Sequence, residues 1–206
     1  IDKDKILIQN LGANKNKFYF RKATEREGSK RYKLLFVGNI SPEKGVDFFL
    51  EYLLKMNSLV TDITFLGKVE SNFKDYFFNQ IAELKRIGIN CEVKFGKSYE
   101  EYVEADLLVL PSVHDSFGLV ISEALMSGLP AFVSTNSGAS ELIKNHCQGD
   151  VFNFNNMEEF AGKIKMLHKK KSFFMMNRKK LSQESQFLDW ENVYIELSEK
   201  IRHELL

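Results

Sequence analysis

Short strand-like runs alternate with helix-period stripes along most of this chain, and that alternation leaves few folds open. Leu34–Val37, Ile63–Leu66, Cys91–Phe95, Leu107–Leu110, Ala131–Ser134 and Val151–Phe154 read as strands. Continuous apolar runs such as the first are expected of strands buried on both faces. Between them, Val46, Phe49, Leu50, Leu53 and Leu54 fit the i, i+3, i+4, i+7, i+8 helical template. Phe73, Phe77, Ile81 and Leu84 stripe a second helix, and Phe117, Val120, Ile121, Ala124 and Leu125 a third. Tyr99–Glu104 and the segment around Glu141 read as short helices. Strands separated by helices imply parallel βαβ units with right-handed crossovers. The expected fold class is therefore α/β, an open, doubly wound parallel sheet.

The flanks are less regular. Lys5–Gln9 reads as a short strand, followed by turn residues, and Arg21–Lys33 as a charged surface linker. Past the last strand the chain is helical. Asn155 is placed to cap one helix, with Glu158 three residues on, and Asp189 to cap the last, whose face is Trp190, Val193, Tyr194, Leu197 and Ile201. The basic run Lys169–Lys171, continuing into Arg178–Lys180, reads as a solvated helix face, with contact to anionic lipid as the alternative. With 29 Lys+Arg against 28 Asp+Glu, charge points to neither nucleic acid nor an acidic partner. Two cysteines exclude a disulfide framework and fit a reducing, cytoplasmic setting. No run of about 18 apolar residues exists to span a membrane. The start at Ile1, already near a strand, leads us to expect an excised domain whose partner lies upstream.

In doubly wound sheets ligands bind beyond the carboxyl ends of the strands. That rule singles out the loops 38–45, 67–71, 96–98 and 111–118. A G-x-G-x-x-G fingerprint and a G-x-S-x-G elbow are both absent, and Gly96-Lys97-Ser98 lacks the earlier glycine of a P-loop, which is Cys91 here. The helix starting near Phe117 and Gly118 is the better anion site, because helix N-termini present unbonded amides and about half a positive charge. Glu123 falls just outside its apolar arc, either a ribose acceptor or a solvated residue. Asp115 could cap that helix, but Ser116 could cap it equally, leaving Asp115 for a ligand. Lys44, between Pro42 and Gly45, would sit over the crevice, where a cation can neutralise a diphosphate. His114 lacks a second histidine or cysteine nearby, so a metal site is not indicated.

Four segments together carry a resemblance: FVGNISPEKG (Phe36–Gly45), ADLLVLPS (Ala105–Ser112), DSFGLVISEALMSGLP (Asp115–Pro130) and SGASELI (Ser137–Ile143). They resemble, in order, the donor-binding C-terminal half of GT-B retaining glycosyltransferases of family 4, the group 1 glycosyl transferases. KILIQNLGANKNKF (Lys5–Phe18) and FLDWENV (Phe187–Val193) are weaker echoes at the flanks. The resemblance implies a Rossmann-like domain over residues 1–186 and a C-terminal helix, 187–206, packing on a missing N-terminal domain. It also implies a nucleotide-sugar site. Glu123 matches the acid that binds the ribose, Asp115 the acid that meets the donor sugar, and Lys44 the lysine on the diphosphate. Backbone amides of Phe117, Gly118 and Leu119 would hold sugar and phosphates, and Lys97 and Ser98 lie where the base is held.

Two departures stand out. Asp115 occupies a position usually held by Glu, and Asn39 one usually held by Arg, removing a cation whose charge-assisted contact is worth roughly 1.5–3 kcal/mol. The expectation is a hexosyl or related transferase, with Asp115 and Lys44 carrying catalysis and no metal required. The donor would be UDP- or GDP-linked, and a glycan or lipid-linked acceptor would be bound through the missing domain. The resemblance further suggests polysaccharide or glycolipid assembly, with peripheral membrane contact. The isolated domain would be inactive. A catalytically impaired binding or scaffold module is the alternative.

Overall fold

A computed structural model describes residues 9–23, 31–55, 62–96 and 99–205. The central layer is a six-stranded, wholly parallel sheet in the order β3-β2-β1-β4-β5-β6. Its strands are β1 (Lys33–Val37), β2 (Asp62–Leu66), β3 (Asn90–Lys94), β4 (Leu107–Leu110), β5 (Ala131–Ser134) and β6 (Gly149–Phe152). The helices between them are α1 (Val46–Lys55), α2 (Lys74–Arg86), α3 (Glu100–Glu104) and α4 (Leu119–Met126), with a 3-10 turn at Gly138–Leu142. After β6 come α5 (Met157–Lys169), α6 (Lys171–Glu184), a 3-10 turn at Gln186–Leu188 and α7 (Trp190–Leu205). The strand order reverses between β1 and β4, which makes the gap beyond their carboxyl ends the topological switch point.

Side-chain alternation assigns each strand residue to a face. Leu34, Phe36, Phe65, Phe132 and Phe152 pack against α1, α2 and α5, where Phe160 meets both Phe132 and Phe152. Leu35, Leu108, Leu110 and Val133 pack against α4. Helix α6 belongs to both cores, Phe174 to the first and Leu181 to the second. It therefore crosses beneath the amino edge of the sheet. Burial also pushes the Cys91 thiol up to about 11, so that cysteine is an unreactive core residue.

Several expectations need correction. The last strand begins two residues earlier than its apolar run, and Asn156 rather than Asn155 caps α5, accepting the Glu159 amide at 2.9 Å. Arg178 is no solvated residue. Buried beneath α3, it donates to the carbonyls of Tyr102, Val103 and Ala105 at 2.7, 3.0 and 3.0 Å, the oxygens a helix end leaves unsatisfied. Lys171 pairs with Asp106 at 3.1 Å. Asp189 spends its carboxylate on Lys15, taking its amide at 3.0 Å and its ammonium at 3.2 Å, rather than capping α7. On α7 only Val193 of the expected face is buried, while Trp190, Tyr194 and Ile201 stay exposed. Residues 5–8 of the first expected strand lie outside the described residues.

Candidate functional site

The loops at the carboxyl edge are fixed to one another through glycines. A Cβ on Gly45 would lie 1.7 Å from the Pro111 carbonyl, and one on Gly67 1.8 Å from that of Gly38. Only a bare backbone brings these loops so close. Ile40 donates its amide to Lys68 at 2.8 Å, and Val113 donates to Glu43 at 3.1 Å. The loop after β1 is thereby pressed over β4, and Lys44 reaches across it. Its Nζ lies 2.8 Å from Oδ2 of Asp115, both side chains being largely shielded from solvent.

Asp115 is not left unoccupied by Ser116. Its Oδ1 accepts the Phe117 amide at 3.2 Å, while its own backbone is tied to the loop after β5, accepting from Gly138 at 3.0 Å. The Phe117 carbonyl accepts from Ala139 at 2.6 Å and from the Ser137 hydroxyl at 3.2 Å. Gly118 adopts a left-handed conformation with φ +79° and precedes α4. A Cβ there would lie 2.8 Å from Leu110 Cδ2 and 3.0 Å from Ser137 Oγ. Phe117 thus stands outside the helix, its amide committed to Asp115. The Gly118 and Leu119 amides have no acceptor among the described residues, and they lie at the positive end of the helix dipole.

Further along α4, half-buried Glu123 accepts the Tyr102 hydroxyl at 2.5 Å. Burial, then the Glu123 charge, raises the Tyr102 phenol well above its usual range, so it remains a proton donor. Phe18 packs edge-on against Tyr99 and Tyr102 at 5.0 and 5.3 Å. These groups, with Val37, Leu66 and Trp190, line a cavity of about 440 Å³, within the range of small-molecule sites. Gly96 and Tyr99 line it as well; Lys97 and Ser98, between them, lie outside the described residues.

The structure therefore joins Lys44, Asp115, Phe117, Gly118, Leu119 and Glu123 along one helix start. Asn39 stands apart, exposed in an open groove of about 580 Å³ that it shares with Lys68 and Glu70. Tyr102 and Phe18 are not expected at the site from the sequence, and Trp190 is expected only on the face of the last helix. Each reaches the cavity through a tertiary contact, and no local spacing signals it.

The sequence profile of the family described as "Glycosyl transferases group 1" matches residues 18–186. An uncharacterised glycosyltransferase of Methanocaldococcus jannaschii is 29% identical over 123 residues, covering 56% of this chain and 30% of that protein. The UDP-Gal:alpha-D-GlcNAc-diphosphoundecaprenol alpha-1,3-galactosyltransferase of Escherichia coli is 28% identical over 147 residues, covering 66% of this chain and 37% of that protein. The chain thus spans about a third of the curated relatives it matches. Among solved structures, Anabaena HepE in complex with UDP superimposes with a TM-score of 0.74 at 18% identity, over 93% of this chain and 56% of that one. That likeness shows a shared fold. Among the described residues, no helix is long and apolar enough to cross a membrane. With the profile spanning most of its length and this sheet at its centre, the chain belongs to the group 1 glycosyl transferases, as the C-terminal domain of a GT-B fold.

Proposed function

We propose that this domain binds the nucleotide-sugar donor of a retaining glycosyltransferase. The observation that carries the reading is the arrangement along α4. Asp115, held by Lys44, stands before the helix, unpartnered amides open it, and Glu123, held by Tyr102, faces the cavity. Five residues of helix separate Gly118 from Glu123, about 7.5 Å at 1.5 Å per residue. A diphosphate at the helix start would place a ribose toward Glu123 and a sugar toward Asp115. As the bond from sugar C1 to the diphosphate oxygen breaks, the electron pair leaves on the diphosphate. Lys44 and the amides meet that charge without a metal. The base would lie beside Tyr99 and the 97–98 segment. UDP is the first donor to test, because UDP is bound in HepE and named for the Escherichia coli relative.

The whole enzyme would comprise this domain, residues 1–186, and a segment 187–206 that packs on an N-terminal domain carrying the glycan or lipid-linked acceptor. The exposed Trp190, Tyr194 and Ile201 of α7 support that packing. The isolated domain would bind donor and transfer nothing, and the two unbridged cysteines fit work in the cytoplasm. One observation favours a second reading, an impaired binding module: Asn39 brings no cation to the crevice, and Lys44 is already neutralised by Asp115.

Thermal-shift titration with UDP-, GDP- and ADP-sugars tests both. The expected result is a nucleotide-specific rise in Tm that Glu123→Ala abolishes and Lys44→Ala reduces more for UDP than for uridine. A flat response to every nucleotide overturns donor binding. Binding without turnover by the longer, two-domain protein selects the impaired module. Activity unchanged by a chelator is the outcome expected for metal-free chemistry.

A further inference from the structure

Helix α3 is held more firmly than its length explains. It is five residues long, too short to form by itself in water, and neighbouring elements pin it from several sides. Lys94 of β3 meets the buried Glu101 carboxylate at 2.7 Å, and Lys33 of β1 approaches the same carboxylate at 3.9 Å. Arg178 of α6 takes the carbonyls at the end of the helix. What this small helix carries to the cavity is Tyr102, only 2% exposed, with its ring packed edge-on against Phe18.

The Tyr102 hydroxyl meets Oε2 of Glu123, and chemistry sets the direction of the bond. An ionised carboxylate only accepts, so the phenol donates. Burial, then the Glu123 charge, keeps that phenol protonated. A carboxylate offers about four acceptor sites on its two oxygens, so accepting one phenol does not exhaust it. The bond does restrict it. A glutamate on a helix otherwise samples several rotamers, and fixing such a side chain only when a ligand arrives weakens binding by about three- to tenfold.

On the reading of this cavity as a donor site, we propose that Tyr102 is its positioning residue. The phenol pre-sets the Glu123 carboxylate so that the cavity selects ligands bearing a vicinal pair of hydroxyls, as an unmodified ribose does. Two adjacent O–H donors match one carboxylate. A ligand that lacks them leaves a half-buried charged acceptor unmatched. That mismatch is felt most when the acceptor cannot turn away to solvent, and the Tyr102 hydroxyl is the group that holds it in place.

Calorimetric titration of the chain with UDP, GDP and ADP, each beside the dideoxy form that lacks both ribose hydroxyls, tests the role. Tyr102→Phe keeps the ring against Phe18 and removes only the hydroxyl. The parent chain is expected to bind at least one intact nucleotide about tenfold or more tighter than its dideoxy form. Tyr102→Phe should weaken the intact nucleotide by about three- to tenfold, leave the dideoxy form unchanged, and so narrow the ratio. A general loosening of the cavity would weaken both forms alike and leave the ratio where it was. An unchanged or wider ratio in Tyr102→Phe overturns the role of Tyr102 and leaves the donor site standing. A parent chain that binds no nucleotide, or binds both forms equally, overturns the donor-site reading and the role of Tyr102 together.

Discussion

Asp115 does two things at once, and the two can be separated by a single atom change. Its Oδ1 holds the Phe117 amide and its Oδ2 holds Lys44. Asp115→Asn keeps an acceptor for the amide but gives up the charge that occupies Lys44. A partly exposed pair of this kind is worth about 1 kcal/mol or less. Calorimetry should therefore show UDP binding to Asp115→Asn tightened by up to about fivefold, while transfer by the two-domain protein falls. If UDP binds Asp115→Asn as poorly as Lys44→Ala, the carboxylate does not compete for the lysine. The position of Asp115 and Lys44 beside a helix start was legible in the sequence because loop and helix-start chemistry is local, while spacing left Glu123 open between a ligand acceptor and a solvated residue. The hydroxyl that holds Glu123 was not legible: Tyr102 lies 21 residues away on α3, and only the packing of α3 against α4 brings them together. The buried Arg178 was equally hidden, since nothing in R-K-K distinguishes a guanidinium aimed at three carbonyls from its solvated neighbours.

Two glycines in helical surroundings should respond in opposite directions. Gly118 needs its left-handed φ of +79°, and a Cβ would press on Leu110 and Ser137. Gly118→Ala should cost about 1–2 kcal/mol in backbone strain alone and should remove nucleotide binding by displacing the start of α4. Gly162 lies within α5, and a methyl group there would meet nothing within 4 Å. Gly162→Ala should stabilise by about 0.5–1 kcal/mol, and denaturant titration of the two variants checks both signs. Element boundaries failed in the sequence where hydrophobicity served something other than the ladder. Phe154 extends the apolar run beyond β6 because its ring packs on Phe48 at 4.7 Å, outside the sheet. At the other end Gly149 gives no strand signal, since a Cβ there would lie 1.8 Å from the Ala131 carbonyl. Trp190, Tyr194 and Ile201 have core-like spacing but stay exposed, so periodicity alone could not say that only Val193 is buried.

At the scale of the whole molecule, the carboxyl edge of the sheet gathers polar groups around a cavity, and α7 leaves an exposed apolar face beside it. If α7 packs on a second domain, Tyr194→Ser should change the Tm of the present chain little, since the ring is 72% exposed and surface changes stay within about 0.5 kcal/mol. In the two-domain protein the same change should lower Tm and loosen the domains in small-angle scattering. Equal effects in both proteins count against the docking role. The carboxyl-edge loops also restrict how the crevice can operate. At Gly45 on Pro111, Gly67 on Gly38 and Gly138 on Ser116, backbone lies against backbone with no room for a methyl group. Moving any one of these three loops as a lid would open those backbone contacts. If the proposed donor site needs closure to exclude water, a second rigid body swinging onto this one is the movement that would leave those contacts intact.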